Sequence, residues 1–160
     1  MVYVGGYWPY KGRSLRRFLL PFESSLAIYG YSEWPFGAYR GALELDEEAD
    51  VLRSAAVVPG VNEPHAELMG GDVCERVYKV AGLGGLCVAD LCFGYRDLFA
   101  DDELLMPRTD AEYVEIVRAV LDGSLDARPY RDAGRHAVHD RHLYEHRAAA
   151  MLKAAGLTAA

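Results

Sequence analysis

The chain has 160 residues, enough for one domain, and is 51% hydrophobic, so a full core is expected. Its net charge of -7 argues against general nucleic-acid binding and against docking on an acidic membrane surface. Three cysteines without a CxxC pair, no basic-then-apolar leader and no apolar run of about 18 residues predict a soluble, cytoplasmic protein with free thiols.

The chain opens on VYVGG (2–6), a β-branched and aromatic run closed by glycines, which reads as a buried strand and a loop. Leu15, Phe18, Leu19 and Phe22 recur at helical spacing and predict a helix over 14–23. LAIYGY (26–31) is the second strand, and SEWPFGAYRG (32–41) is a loop without periodicity. Asp46 opens a helix with Glu47 and Glu48 in its first turn, where the helix dipole favours acids, and Val51 and Leu52 facing inward. AAVV (55–58) is the third strand, closed by Pro59-Gly60. Residues 73–83 form a helix with Val73, Val77, Val80 and Ala81 on one face. LCVA (86–89) is the fourth strand, ending at Asp90; a short helix is expected over 95–99 and a fifth strand over 104–106. Asp110 is expected to N-cap AEYVEIVRAVL, whose apolar face is Tyr113, Ile116, Val117, Val120 and Leu121. The tail, 130–156, is helical with a break near Asp140, its Leu143, Tyr144, Met151 and Leu152 directed to the core.

Alternating strands and helices predict βαβ units, hence an α/β fold: a single Rossmann-like, doubly wound parallel sheet of about five strands with helices on both faces. One domain over 1–160 is expected, with 130–160 as its C-terminal helices. Ligands of such folds sit at the carboxyl ends of the strands.

Two of those ends carry glycine and positive charge. After the first strand, Gly5 and Gly6 permit close backbone approach, and Lys11 and Arg13 precede a helix. The loop before the fourth strand's helix ends in Gly70-Gly71-Asp72, and free N–H groups at that helix start make an anion site. Arg76 and Lys79, three apart, lie on neighbouring turns of one side. Together these features suit a diphosphate. A glycine pair in a βα loop also reads as a plain turn, the commoner case, and Gly84-Gly85 fits a helix C-cap. No GxGxxG follows the first strand and there is no P-loop motif, so neither a nicotinamide cofactor nor a P-loop is supported. His139, His142 and His146 would form a stripe on one continuous tail helix, the last two at metal-binding spacing; the stripe lies opposite the expected core face and reads as solvated, with no functional metal. Asp90 either faces the crevice or caps the next turn, the cap being preferred. Glu63, His65 and Glu67 read as a solvated or partner-contacting cluster.

The run GGDVCERVYKVAGLGGLCVADLCFGYRDLF (70–99), then LLMPRTDAEYVEIVRAVL (104–121) and HDRHLYEHRAAAML (139–152), resembles the C-terminal half of group-1 glycosyltransferases, closest to the spore-maturation CgeB-type branch. VGGYWPYKGRSLRRF (4–18) resembles the first strand and loop of that half. The order of the segments carries the likeness; no single motif does. The resemblance implies a GT-B arrangement, in which two Rossmann-like domains face each other and the C-terminal one holds a nucleoside-diphosphate sugar such as a UDP-sugar. Carried over by position, Gly5, Gly6 and Lys11 line the diphosphate side. The loop 58–62, with Pro59, Gly60 and Asn62, approaches the base. Gly71, Asp72 and Val73 offer N–H groups to phosphate with Arg76 alongside. Lys79 stands where many members place a glutamate that holds the ribose; a lysine accepts no hydrogen bond but can pair with phosphate.

The implied reaction is transfer of a sugar to an acceptor that the sequence does not name. Lys11, Arg76, Lys79 and the helix end would stabilise the departing diphosphate, with no metal or other cofactor required. The acceptor-binding domain precedes this half in the family, so a separate N-terminal half or self-association is the expected partner. The alternative is a non-catalytic Rossmann-like interaction or oligomerisation module, with the aromatics of YWPY and YSEWPFGAY at its interface. A receiver-like domain is a third reading, but Gly5-Gly6 stand where its acidic cluster belongs.

Overall fold

The computed structural model describes residues 1–44 and 46–157; the expected domain limits, 1–160, include residues 45 and 158–160, which lie outside it. Strand β1 (Val2–Val4) pairs in parallel with β2 (Ala27–Tyr29), Tyr3 opposite Ile28. Strand β3 (Val58–Gly60) pairs in parallel with β4 (Cys87–Ala89), Pro59 opposite Val88. The expected five-stranded sheet is therefore two two-stranded sheets. One bond crosses the seam between them, from Val2 N to Val57 O at 3.1 Å. The reason is Pro59. Val58 N bonds toward β4, at Leu86 O, so residues 57 and 59 face β1. Proline has no N–H to continue that ladder. At the outer edges, Tyr39 bridges to Ile28 and Leu105 to Val88, so the fifth strand expected at 104–106 is a single bridge and loop 32–41 contributes another. The order across the layer is Tyr39, β2, β1, β3, β4, Leu105. That order reverses direction between β1 and β3, where a doubly wound fold opens its crevice.

Side-chain alternation sorts the strand residues onto two faces. Tyr3, Ile28, Val57, Val88 and Leu105 join one core with Leu15, Phe18, Tyr113 and Val117; Val58, Cys87, Ala89 and Leu104 join another with Leu52, Val77, Val80 and Val138. The first face is covered by α1 (Pro9–Leu19) and α5 (Asp110–Leu121), the second by α2 (Glu48–Ser54), α4 (Glu75–Gly82) and α6 (Arg128–Arg141). The fold is α/β with helices on both faces.

Several boundaries differ from expectation. Helix α1 starts at Pro9 rather than residue 14, proline's fixed φ suiting a first turn, and passes into a 3₁₀ segment, Leu20–Ser25. Pro59-Gly60 lie inside the third strand instead of closing it. A short helix, α3 (Ala66–Met69), ends at Gly70 with a left-handed φ of 69°. A 3₁₀ turn covers Phe93–Asp97. Thr109, not Asp110, caps α5: its side chain accepts from Glu112 N at 3.1 Å. The tail breaks at His142–Leu143 before α7 (Tyr144–Ala154), which buries none of its residues. Tyr144 and Met151, expected in the core, are exposed, whereas Trp34 and Phe36, which only the interaction-module alternative assigned to an interface, are buried.

Candidate functional site

The carboxyl end of β1 is where the cleft forms. Gly5, Gly6, Arg76 and Lys79 line a cavity of about 500 Å³ together with Gly30 and Tyr31. An adjoining cavity of about 160 Å³ is lined by Val4, Lys11, Cys74, Arg76 and Lys79. The three cations singled out in the sequence thus meet at one place, from α1 and α4, beside the last residue of β1.

Each is held differently. Arg76 donates from Nε (3.1 Å) and Nη2 (2.9 Å) to Val4 O and lies 4.2 Å above the Tyr3 ring. Its close approach depends on Gly5, where a Cβ would sit 2.6 Å from Nη2. Among the described residues no carboxylate lies within ion-pair distance of Arg76. Lys11 is buried, with its Nζ 3.8 Å from Glu63 Oε1 and 5.1 Å from the Trp8 ring centre. Burial, and then the Arg76 charge, pull the Lys11 amine below its ordinary pKa. Lys79 is neutralised within the chain, 3.3 Å from Glu48 and 3.9 Å from Glu75.

The other residues singled out lie elsewhere. Pro59 and Gly60 are buried in β3, and a Cβ on Gly60 would meet Val77 at 2.6 Å. Asn62, 3% exposed, donates from its backbone to Asp90 Oδ2 (2.6 Å) and from Nδ2 to Asp90 Oδ1 (2.9 Å) and Tyr95 Oη (2.8 Å). Asp90 also accepts from Cys92 N at 3.2 Å, so it caps the turn after β4 while buried; burial raises its pKa and these hydrogen bonds oppose the rise. Gly71, Asp72 and Val73 precede α4, which starts at Glu75, two residues later than expected. Asp72 pairs with His65 at 2.9 Å, and Val73 lines a separate groove with Tyr78 and Leu143.

The histidine stripe does not form, because the helix breaks within it. His139 Nε2 contacts Gly82 O and His142 Nε2 contacts Leu98 O, and Leu143 N donates to His146 Nδ1. No group of three or more His, Cys, Asp or Glu among the described residues is placed to hold a metal ion. The sequence reading missed the segment after β2: Gly30, Tyr31 and Ser32 line the large cavity with Glu44 and Glu48. Gly30 and Tyr31 close the run read as the second strand, 26–31, but the strand stops at Tyr29; the available signal was that a strand's carboxyl end lies there.

This geometry defines an α/β protein whose topological switch point holds a cleft lined by Lys11, Arg76 and Lys79 together with the carboxylates Glu44, Glu48 and Glu75. Residues 13–153 match the glycosyl transferase-like family, and the chain belongs to that family. Among solved structures it is similar to a mutant of the T4 phage BGT in complex with UDP-glucose, at a TM-score of 0.66 and 12% identity. The match covers 87% of this chain and 42% of that one, so the chain spans less than half that protein's length. The likeness shows a shared fold. No curated protein matches. No helix among the described residues is long and apolar enough to cross a membrane.

Proposed function

We propose that this chain is the donor-binding half of a sugar-transferring enzyme and that its cleft takes the diphosphate of a nucleoside-diphosphate sugar. The observation that carries the reading is the Lys11–Arg76 pair. Two cations share the end of β1, one of them buried and destabilised by the other. The chain's own acids compensate without closing a hydrogen bond: Glu63 stands 3.8 Å from Lys11. An anion with charge on both ends relieves the repulsion and repays the lost hydration. During transfer, the bond between the anomeric carbon and the diphosphate oxygen breaks and negative charge gathers on that oxygen. Cations fixed in advance hold the departing group more strongly than the intact donor, which lowers the barrier.

The finer placement belongs to the same proposal: the C-terminal half of a GT-B enzyme of the CgeB-type branch, completed by an acceptor-binding domain or a separate N-terminal half. The order of the sequence segments supports it. UDP is the favoured nucleotide, supported by the UDP-glucose complex of the T4 phage protein. Three free thiols support a cytoplasmic setting. Calorimetry and thermal unfolding with UDP, GDP, ADP and inorganic pyrophosphate test the reading. Heat and a raised Tm with at least one diphosphate are expected. No heat and no shift with any of them at millimolar concentration overturns it.

The second reading, an interaction module, draws on α7, whose Tyr144 is 83% exposed and Met151 72%. Solution mass separates the two: a stable dimer that buries α7 and ignores every nucleotide favours the module.

A further inference from the structure

We propose that the outer part of the cleft is a nucleobase platform, with Tyr31 as its stacking residue. This rests on the donor-site reading and adds where the nucleoside lies and which way it points. Charge sets the direction. The inner cavity sets Lys11, Arg76 and Lys79 against Glu48 and Glu75, both paired with Lys79, whereas the larger, outer one sets Arg76 and Lys79 against Glu44 and Glu48, so the surplus of positive charge lies at the inner end. Carboxylates repel phosphate, so the phosphates lie inward and the uncharged nucleoside outward.

Shape then selects what fits outside. Three glycines, Gly5, Gly6 and Gly30, contribute wall without side chains. At Gly30 nothing larger is tolerated, since a Cβ would lie 2.2 Å from Gly5 O. Beside this wall stands Tyr31, 86% exposed. Its ring is exposed, but the backbone around it is fixed. Gly30 N donates to Gly41 O at 2.9 Å, Tyr39 Oη donates to Gly30 O at 2.8 Å, and Tyr7 N donates to Ser32 Oγ at 3.0 Å. A large aromatic ring carried on a fixed backbone and left in water, next to a wall of glycines, leaves a slot in which a flat heterocycle can stack. The rival location, residues 58–62, offers no such slot: Pro59 and Gly60 are inside a buried strand and Asn62 is committed to Asp90 and Tyr95. Stacking tolerates any base, so Tyr31 sets affinity for a nucleoside without naming it.

The test compares UDP with inorganic pyrophosphate on the intact chain and on Tyr31→Ala and Tyr31→Phe, by calorimetry. Tyr31 is exposed, so both variants keep the core. Tyr31→Ala is expected to weaken UDP by roughly 5- to 150-fold, the range for losing one base–aromatic stack, and to leave pyrophosphate unchanged. Tyr31→Phe is expected to keep UDP affinity. If UDP binds the alanine variant as it binds the parent, the platform is overturned and the donor site stands. If UDP and pyrophosphate weaken equally, Tyr31 acts on the diphosphate or the loop, and the platform is again overturned. If the parent binds neither, both proposals fall.

Discussion

Lys11→Met keeps the unbranched stem of the side chain and removes its charge. At 3.8 Å from Glu63, attraction is about 4 kcal/mol at an effective dielectric near 20. Against it stand the loss of hydration, several kcal/mol for a buried ion, and repulsion from Arg76. The opposing terms nearly cancel, so the variant should match the parent's stability within about 1 kcal/mol. Diphosphate binding should behave differently, because a charge-assisted contact is lost. That costs about 1.5–3 kcal/mol, or roughly 10- to 150-fold in Kd. Urea unfolding measures the first quantity and calorimetry with pyrophosphate the second. Alkaline pH gives an independent readout. The folded-state pKa of Lys11 lies below the ordinary 10.5, so in the window beneath 10.5 the unfolded chain holds a proton that the folded chain has released. Parental stability therefore gains on that of the variant as pH rises through this window. A variant that loses 3 kcal/mol or more, yet binds pyrophosphate as before, would refute the view of Lys11 as a ligand group held ready at structural expense.

Gly5→Ala places a methyl group 2.6 Å from Arg76 Nη2 and should push the guanidinium off Val4 O, weakening pyrophosphate binding about tenfold with a stability loss of about 1 kcal/mol, both read by thermal shift and calorimetry. Asp90→Asn removes a buried charge but sets an amide N–H₂ against the Asn62 or Cys92 donors, so unfolding in urea should show a loss of about 1–3 kcal/mol rather than a gain. Because the folded Asp90 pKa is raised above 3.8, its contribution to parental stability falls as pH rises from 3.8 through the raised value, and the variant should lack that slope. Lys79→Met should change pyrophosphate affinity by less than about threefold, since Glu48 and Glu75 already use its charge, a surface pairing worth at most about 1 kcal/mol.

What was legible followed local periodicity. β-Branched runs marked β1, β2 and β4, and the Tyr113–Val117 stripe marked α5, because each pattern is set by the element's own geometry. Pro59 misled because proline usually stops a strand; here its missing N–H falls on the seam, where little pairing exists to lose. Helix α3 has four residues, too few for a period. Trp34 and Phe36 lie in an aperiodic loop, yet Trp34 Nε1 donates to Gly5 O and both rings enter the core. At the site, Arg76 was legible as a cation near a helix start. The fate of Lys79 was not, since its main partner, Glu48, is 31 residues away on another helix. Tyr31 had no signal as a site residue: it closes the run read as the second strand, 26–31, whereas β2 ends at Tyr29.

The same seam favours Arg76 over Lys79 as the anchor of the proposed diphosphate site. Strands β1 and β3 share one backbone bond, from Val2 to Val57, near the start of both strands. Toward their carboxyl ends Pro59 supplies no donor, and the carbonyl of Val4 is left facing α4. Arg76, from α4, the helix that leads into β4, fills that gap with two N–H groups on one oxygen. A guanidinium has five donors, so the group that clasps the seam keeps others free for an anion. A lysine at that position would satisfy the carbonyl as a point charge and offer no fixed fork. The element that joins the two sheets and the element proposed to face the diphosphate are thus one side chain. A diphosphate bound to Arg76 should therefore tighten the junction of the sheets, with slower amide exchange at Val4, Gly5 and Gly60 than at the solvent side of α1.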